Sequence, residues 1–258
     1  MNLPEILQRR YVGSAVALVA GSLLGLSFAP FGWWPLAILC PAVLIYLWDG
    51  ATPRRAAALG FWFNFGTFAV GTYWLYISLQ LIGHAPVPLA LLLMVGLAAI
   101  MGAYHALLGW TIAKYFPARG PVRWLIAIPG AWLLIEWFRS WFLSGFGWLA
   151  LGYAHTDNWL GSLAPVIGQF GLGLITVVFA GAAVTLALGT RRARVAAVAI
   201  VVIVTGTSFA LSGVEWTQVS GKPISVAVVQ GATPQDEKWL EDKASVPKIL
   251  DTFRTLTV

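Results

Sequence analysis

Glu136 and Arg139 stand three residues apart within 122–143, a stretch that is apolar over most of its length. On a helix this spacing places both on one face, where they can pair. Charges inside an apolar span are costly. The pair is therefore either a structural ion pair or a contact for a charged lipid headgroup. His105 stands among Ala, Leu and Tyr, and Asn64 and Gln80 lie in the apolar stretch 56–82. None of these forms the series of acids or histidines that a proton relay needs. His155 and Asp157 are two apart, but two ligands fall short of a zinc-type set, and no metal is expected. The single cysteine, Cys40, excludes an intrachain disulfide. Pro35 and Pro41 flank it, with no neighbouring cation or base to activate the thiol, so it reads as inert core.

The elements that hold these residues are set by the distribution of charge. The 258-residue chain is 59% hydrophobic and only 10% charged, with a mean hydropathy of +0.80; soluble domains carry about 25% charged residues. Its basic residues cluster at Arg9 and Arg10, at Arg54 and Arg55, at Lys114, Arg119 and Arg123, and at Arg191, Arg192 and Arg194. The intervening connections at 30–32, 83–87 and 144–165 carry no Lys or Arg. This alternation is the positive-inside pattern of a multi-pass membrane protein. It accounts for the net charge of +6 without nucleic acid, for which no recognition motif is present.

The pattern predicts a mainly α protein, a seven-span helical membrane bundle over 1–213. The spans fall at 11–29, 33–48, 56–82, 87–116, 122–143, 166–189 and 195–211. The second, at about 24 Å, is short for a hydrocarbon core of about 30 Å; it reads as one arm of a hairpin with the first, which is an uncleaved span and not a signal peptide. Glycines at 66 and 71, and at 168, 171 and 173, suit close helix packing. The uncharged loop 144–165, with Trp148, Tyr153 and Trp159 as interfacial anchors, is long enough to be functional. The N-terminus is expected in the cytoplasm and everything past the last span on the far side.

Composition changes at Val214. The run PISVAVVQ over 223–230 has the make-up of a buried strand. GATP turns the chain, and 238–256 has helical spacing that Pro247 interrupts or restarts. One strand, one loop and one helix open an α/β domain and do not complete it. The expectation for 214–258 is thus the start of a truncated extracytoplasmic domain.

Four stretches carry a resemblance: SFAPFGWWPLAILCP (27–41), GFWFNFGTFAVGTYWLYISL (60–79), EWFRSWFLSGFGWLALGYAHTDNWLGSLAPVIGQFGLGLITV (136–177) and VAVVQGATPQDEKW (226–239). In this order they resemble the bacterial apolipoprotein N-acyltransferases, membrane enzymes with a periplasmic nitrilase-like domain. Gly147 departs from the Pro usual in the family. The resemblance implies, at the bacterial inner membrane, transfer of an acyl chain from a phospholipid to the α-amino group of a diacylglyceryl apolipoprotein's lipidated N-terminal cysteine. It implies a thioester on a catalytic Cys, a Glu base and a supporting Lys, and no cofactor. None of those three residues has a match in this chain, which is therefore expected to be inactive alone. Cys40, Glu136 and Glu215 do not match them. The one site residue carried over is Trp239, matching a substrate-pocket Trp of the family. The alternatives are a non-enzymatic multi-span subunit that handles or transports lipid, and a broader nitrilase-type membrane hydrolase.

Overall fold

The computed structural model describes residues 10–232 and 245–257. Among these the chain is mainly α-helical and contains no strand. The helices are α1 (Arg10–Leu24), α2 (Pro35–Trp48), α3 (Pro53–Gly71), α4 (Trp74–Leu81), α5 (Val87–Tyr115), α6 (Ile128–Arg139), α7 (Ala164–Leu188), α8 (Arg191–Leu211) and α9 (Ser245–Thr257). Three stretches are long and apolar enough to cross a membrane: Val87–Tyr115, Trp159–Leu188 and Arg191–Leu211. Tyr11–Ser27 and Pro35–Trp48 are shorter apolar helices.

The described residues form two compact units. The first draws on Met1–Tyr73 and Met94–Val214, the second on Trp74–Leu93 and Glu215–Val258. In the first, α1 packs on α2 and α3, α2 on α7, α6 on α7, and α7 on α8. Its core is built around fully buried Trp48, Phe63, Leu44 and Ile128. Backbones approach closely where glycine allows. A Cβ at Gly21 of α1 would overlap the Phe63 carbonyl oxygen of α3, and one at Gly66 of α3 would sit 2.5 Å from the Leu18 oxygen of α1. The expected packing role of Gly66 is thus met by a reciprocal seam, the small-residue contact that apolar helices use in lipid.

Local chemistry sets the helix ends. Thr52 caps α3, its side chain accepting from the Arg55 N–H, and Pro53 follows at the first turn. Thr190 caps α8 in the same way through Ala193. Before α6 the chain winds a π-turn over Arg123–Ala127, with the Ile128 N–H bonded to the Arg123 carbonyl. Pro129 supplies the reason: its ring excludes a normal turn against the carbonyl four residues back. The expected continuous span 56–82 is instead two helices. Gly71 and Thr72 are weak helix formers. Thr72 leaves the helix at φ −114°, ψ 22°, and its hydroxyl takes the Phe68 carbonyl at 2.6 Å.

The α2–α3 connection is clamped by arginines. Arg123 Nη2 donates to the Trp48 carbonyl at 3.0 Å, and Arg119 Nε lies 3.6 Å from Asp49. Trp124 Nε1 donates to the same carboxylate at 3.3 Å. Gly50 turns the chain at φ +75°, a conformation that favours glycine.

In the second unit, the run 223–230 forms no ladder, because no partner strand exists among the described residues. Of the helical pattern expected over 238–256, the described part Ser245–Thr257 is one helix that Pro247 does not interrupt. Residues 238–244 lie outside the described residues. Val246, Leu250 and Phe253 leave much of their surface exposed on α9, and a Cβ at Gly231 would touch the Phe253 ring at 3.0 Å.

Within α7, Gly168 sits at φ 62°, ψ −174°, a region essentially closed to other residues. A Cβ there would meet nothing within 4 Å, so replacement isolates backbone strain. Gly168→Ala is expected to destabilise the protein by about 1–3 kcal/mol. Gly206→Ala in α8, equally open but without a positive φ, is expected to be neutral or slightly stabilising. Thermal melting in detergent reads both, and equal effects would remove the strain argument.

Candidate functional site

Glu136 and Arg139 lie on the buried face of α6, each more than nine-tenths buried. They share that face as expected, but the structure shows no direct ion pair between them. Each holds the following loop instead. Glu136 Oε1 accepts from Trp132 Nε1 at 3.2 Å and from the Leu151 N–H at 3.0 Å. Arg139 Nη1 donates to the Phe146 carbonyl at 2.7 Å and the Trp148 carbonyl at 2.8 Å. The Phe146 N–H returns a bond to the Arg139 carbonyl at 3.0 Å. The guanidinium also lies 5.2 Å from the centre of the Phe68 ring of α3, within cation–π range.

Two glycines make room for this arrangement. A Cβ at Gly173 of α7 would sit 3.1 Å from Glu136 Oε2, and one at Gly71 of α3 would come within 2.5 Å of Leu149 Cδ1. The loop itself is tightly turned, with Leu143, Ser144 and Leu149 at φ of 52°, 72° and 57°. Non-glycine residues adopt that region rarely and at a cost. The buried charges hold it there.

Farther along, 3-10 turns cover Leu151–His155 and Trp159–Leu163. The His155 ring is fully buried. Its Nε2 lies 2.8 Å from Thr176 Oγ1 of α7, and its Nδ1 lies 3.0 Å from Asn158 Nδ2. Asn158 Oδ1 accepts from the Leu160 N–H, and Thr176 Oγ1 donates to the Leu172 carbonyl. One proton assignment satisfies every member: Asn158 Nδ2 donates to Nδ1, and Nε2–H donates to Thr176. Both imidazole nitrogens are thereby engaged within the protein, and Asp157 is exposed and takes no part. Among the described residues no group of three or more His, Cys, Asp or Glu is placed to hold a metal.

Trp148 and Tyr153 are about half exposed, as interfacial anchors would be. Trp159 differs. It is partly buried, stacks on Phe179 and Phe209, and meets Trp34 edge-on. Trp137 and Trp141 are exposed on and just beyond α6, so one end of the bundle carries a cluster of indoles.

His105 is buried, and neither ring nitrogen has a hydrogen-bond partner. Its ring meets Trp132 edge-on at 4.6 Å. Asn64 Nδ2 donates to the Met101 carbonyl at 2.6 Å, joining α3 to α5. Cys40 is buried. Trp239 lies outside the described residues. Sequence reading missed Trp132, Asn158 and Thr176. Trp132, one helical turn before Glu136, was open to discovery from spacing alone. Nothing in the sequence links Thr176 to a histidine 21 residues away.

An apolar helical bundle with three stretches long and apolar enough to cross a membrane, and a loop pinned by buried charges, fits the framework of a membrane protein. The family model described as the apolipoprotein N-acyltransferase N-terminal domain matches residues 20–182. The chain belongs to the apolipoprotein N-acyltransferase family. Among curated relatives bearing that name, the protein of Methylococcus capsulatus is 41% identical over 87% of this chain and 44% of its own length. That of Vibrio cholerae is 34% identical over 92% of this chain and 46% of its own. That of Azotobacter vinelandii is 37% identical over 95% of this chain and 48% of its own. The chain spans about half the length of these relatives or slightly less.

Two outcomes follow from the geometry. Arg139→Ala removes both loop bonds and leaves Glu136 without its nearby opposite charge. It is expected to cost about 3–5 kcal/mol and to open the 144–163 loop to limited proteolysis. A loss below about 1 kcal/mol with an unchanged digest would show that the loop stands without it. Burial holds the His155 imidazole below its ordinary pKa. The unfolded chain therefore binds a proton at this side chain near pH 6.5 while the folded chain does not. Stability should fall as pH drops below about 6.5. His155→Gln should show a smaller loss of melting temperature than the parent over that range.

Proposed function

We propose that this chain supplies the membrane part, and the beginning of the extracytoplasmic catalytic part, of an apolipoprotein N-acyltransferase. The observation that carries this reading is the family match over residues 20–182. In this reading the spans at 11–29, 33–48, 56–82, 87–116, 122–143, 166–189 and 195–211 make a seven-span bundle in the bacterial inner membrane. The third span includes the break at Thr72. The N-terminus is cytoplasmic, and residues 214–258 begin a nitrilase-like domain on the periplasmic side. A membrane phospholipid is the acyl donor, and a diacylglyceryl apolipoprotein is the acceptor.

The structure supports a positional role for the first unit. The indole-rich end formed by Trp137, Trp141, Trp148 and Tyr153 suits the headgroup level of a bilayer, where both lipid substrates present their reacting groups. The Glu136 and Arg139 bonds fix the loop there. Trp239 is proposed to contribute to the substrate pocket. The transfer itself requires a thiolate to take the acyl group and a base to activate it, with a cation to stabilise the charged intermediate. No Glu, Lys and Cys matching the family's set occurs within these 258 residues, so the chain on its own is proposed to be inactive.

Two measurements check this. A periplasm-dependent reporter phosphatase fused after Val258 is expected to be active, and a cytosolic fluorescent reporter at the same point dark; the reverse result would overturn the orientation. The purified 258-residue chain, given phospholipid and a diacylglyceryl-cysteine peptide, is expected to show no transfer, whereas the complete Methylococcus capsulatus relative should. Turnover by the chain alone would defeat the proposed inactivity.

A further inference from the structure

A small crevice of about 40 Å³ opens between the turn that joins α1 to α2 and the 3-10 turn Leu151–His155 with the residues after it. Ser27 and Trp34 line it from the first side, and Tyr153, Thr156, Asp157 and Asn158 from the second. We propose that this crevice binds a primary ammonium group. The site goes beyond the reading above and stands whether or not the chain takes part in acyl transfer.

The hydrogen bonds already made at the wall set the chemistry of the ligand. Ser27 Oγ donates to the Leu24 carbonyl at 2.7 Å, and Thr156 Oγ1 donates to the Tyr153 carbonyl at 3.1 Å. Asn158 Nδ2 donates to the Ala154 carbonyl at 3.2 Å and to His155 Nδ1 at 3.0 Å. A hydroxyl carries one proton and an amide nitrogen two, so the donors of these three side chains are all engaged inside the protein. What remains to the two hydroxyls is lone pairs. Asp157 is an exposed carboxylate, and it offers acceptors alone. Oxygen acceptors beside a negative charge call for a charged donor. Ammonium, with three N–H groups and no acceptor, meets that description.

Size and surroundings narrow the choice. The volume exceeds the roughly 10–15 Å³ that a water needs, and falls far below the roughly 300–1,000 Å³ that encloses a whole small molecule. The crevice therefore takes the ammonium and leaves the rest of the ligand outside. A trimethylammonium group is bulkier and has no N–H to give the oxygens. Trp34 and Tyr153 place aromatic rings at the wall, which attract an organic cation. Calcium takes about six to eight oxygen ligands, and one carboxylate with two hydroxyls falls short of that set. Behind the wall, His155 and Thr176 tie Asn158 to α7, and Trp34 meets the His155 and Trp159 rings, so the crevice is preformed. Phe31 and Trp33 of the first turn are more than half exposed. They offer apolar contact to an ammonium carried on a lipid headgroup, whereas a soluble amine needs the crevice alone.

The test follows methylammonium by saturation-transfer NMR, with the 258-residue chain in an uncharged detergent and sodium buffer. Methylammonium is expected to bind saturably and tetramethylammonium not to bind; equal binding of the two would overturn the proposal. Asp157→Asn, a nearly isosteric change at an exposed position, should weaken binding about tenfold. Asp251→Asn on α9 should leave it unchanged. Equal losses in the two variants would show general surface attraction, and no loss at Asp157 would remove the site. Tyr153→Leu is the independent variant should Asp157→Asn fail to fold; it should weaken binding several-fold, and unchanged binding there would also overturn the proposal. Calcium in excess should not displace methylammonium. Full displacement would identify a metal-cation site instead. Two competitors separate the sources of the ammonium. Displacement by phosphatidylethanolamine in the micelle, at concentrations far below those of free ethanolamine, supports a lipid headgroup. Displacement by both at equal concentration supports a soluble amine, and displacement by neither overturns ammonium recognition.

Discussion

A carboxylate and a guanidinium buried in an apolar bundle must find polar partners. The backbone of 146–151 meets that demand. Glu136 receives the Leu151 N–H, and Arg139 receives two carbonyls, so one turn of α6 fixes the path of the loop that follows. The requirement propagates outward. Glycine is needed at 71 and 173 to let the loop and the carboxylate approach, and Leu149 is held at a positive φ. The His155, Asn158 and Thr176 network then continues the attachment along α7.

The two ends of α3 meet different environments. At Phe68 its ring faces Arg139 and the aromatic loop. At its start it carries Arg54 and Arg55, beside a connection that Arg119 and Arg123 secure through Asp49 and the Trp48 carbonyl. Basic residues that read in sequence as one class of topological marker therefore divide in the structure. Arg123 is buried and closes the end of α2, a cation on the Trp48 carbonyl at a helix C-terminus. Arg54 is exposed and lines a cleft. Such a scaffold separates an aromatic end from a cationic one.

Much of this was legible in the chain. The alternation of apolar runs and basic clusters and the family motifs are local signals, readable because helix formation and membrane preference depend on near neighbours. The break at Thr72 was not, since a residue leaving a helix is weighed against what the rest of the bundle packs there. The separation of Glu136 from Arg139 was hidden for a similar reason: spacing put them on one face, but the loop partners that drew them apart arrive seven to fifteen residues later.

The sequence by itself thus determined the helical class, the family and the pair of charges that matter on α6. Only the tertiary structure decided what those charges hold, which arginines are closed into the fold, and which histidine is fully bonded. Contacts between distant segments depend on how helices pack, and glycine positions such as Gly21 and Gly66 set that packing through backbone distances that no local pattern encodes.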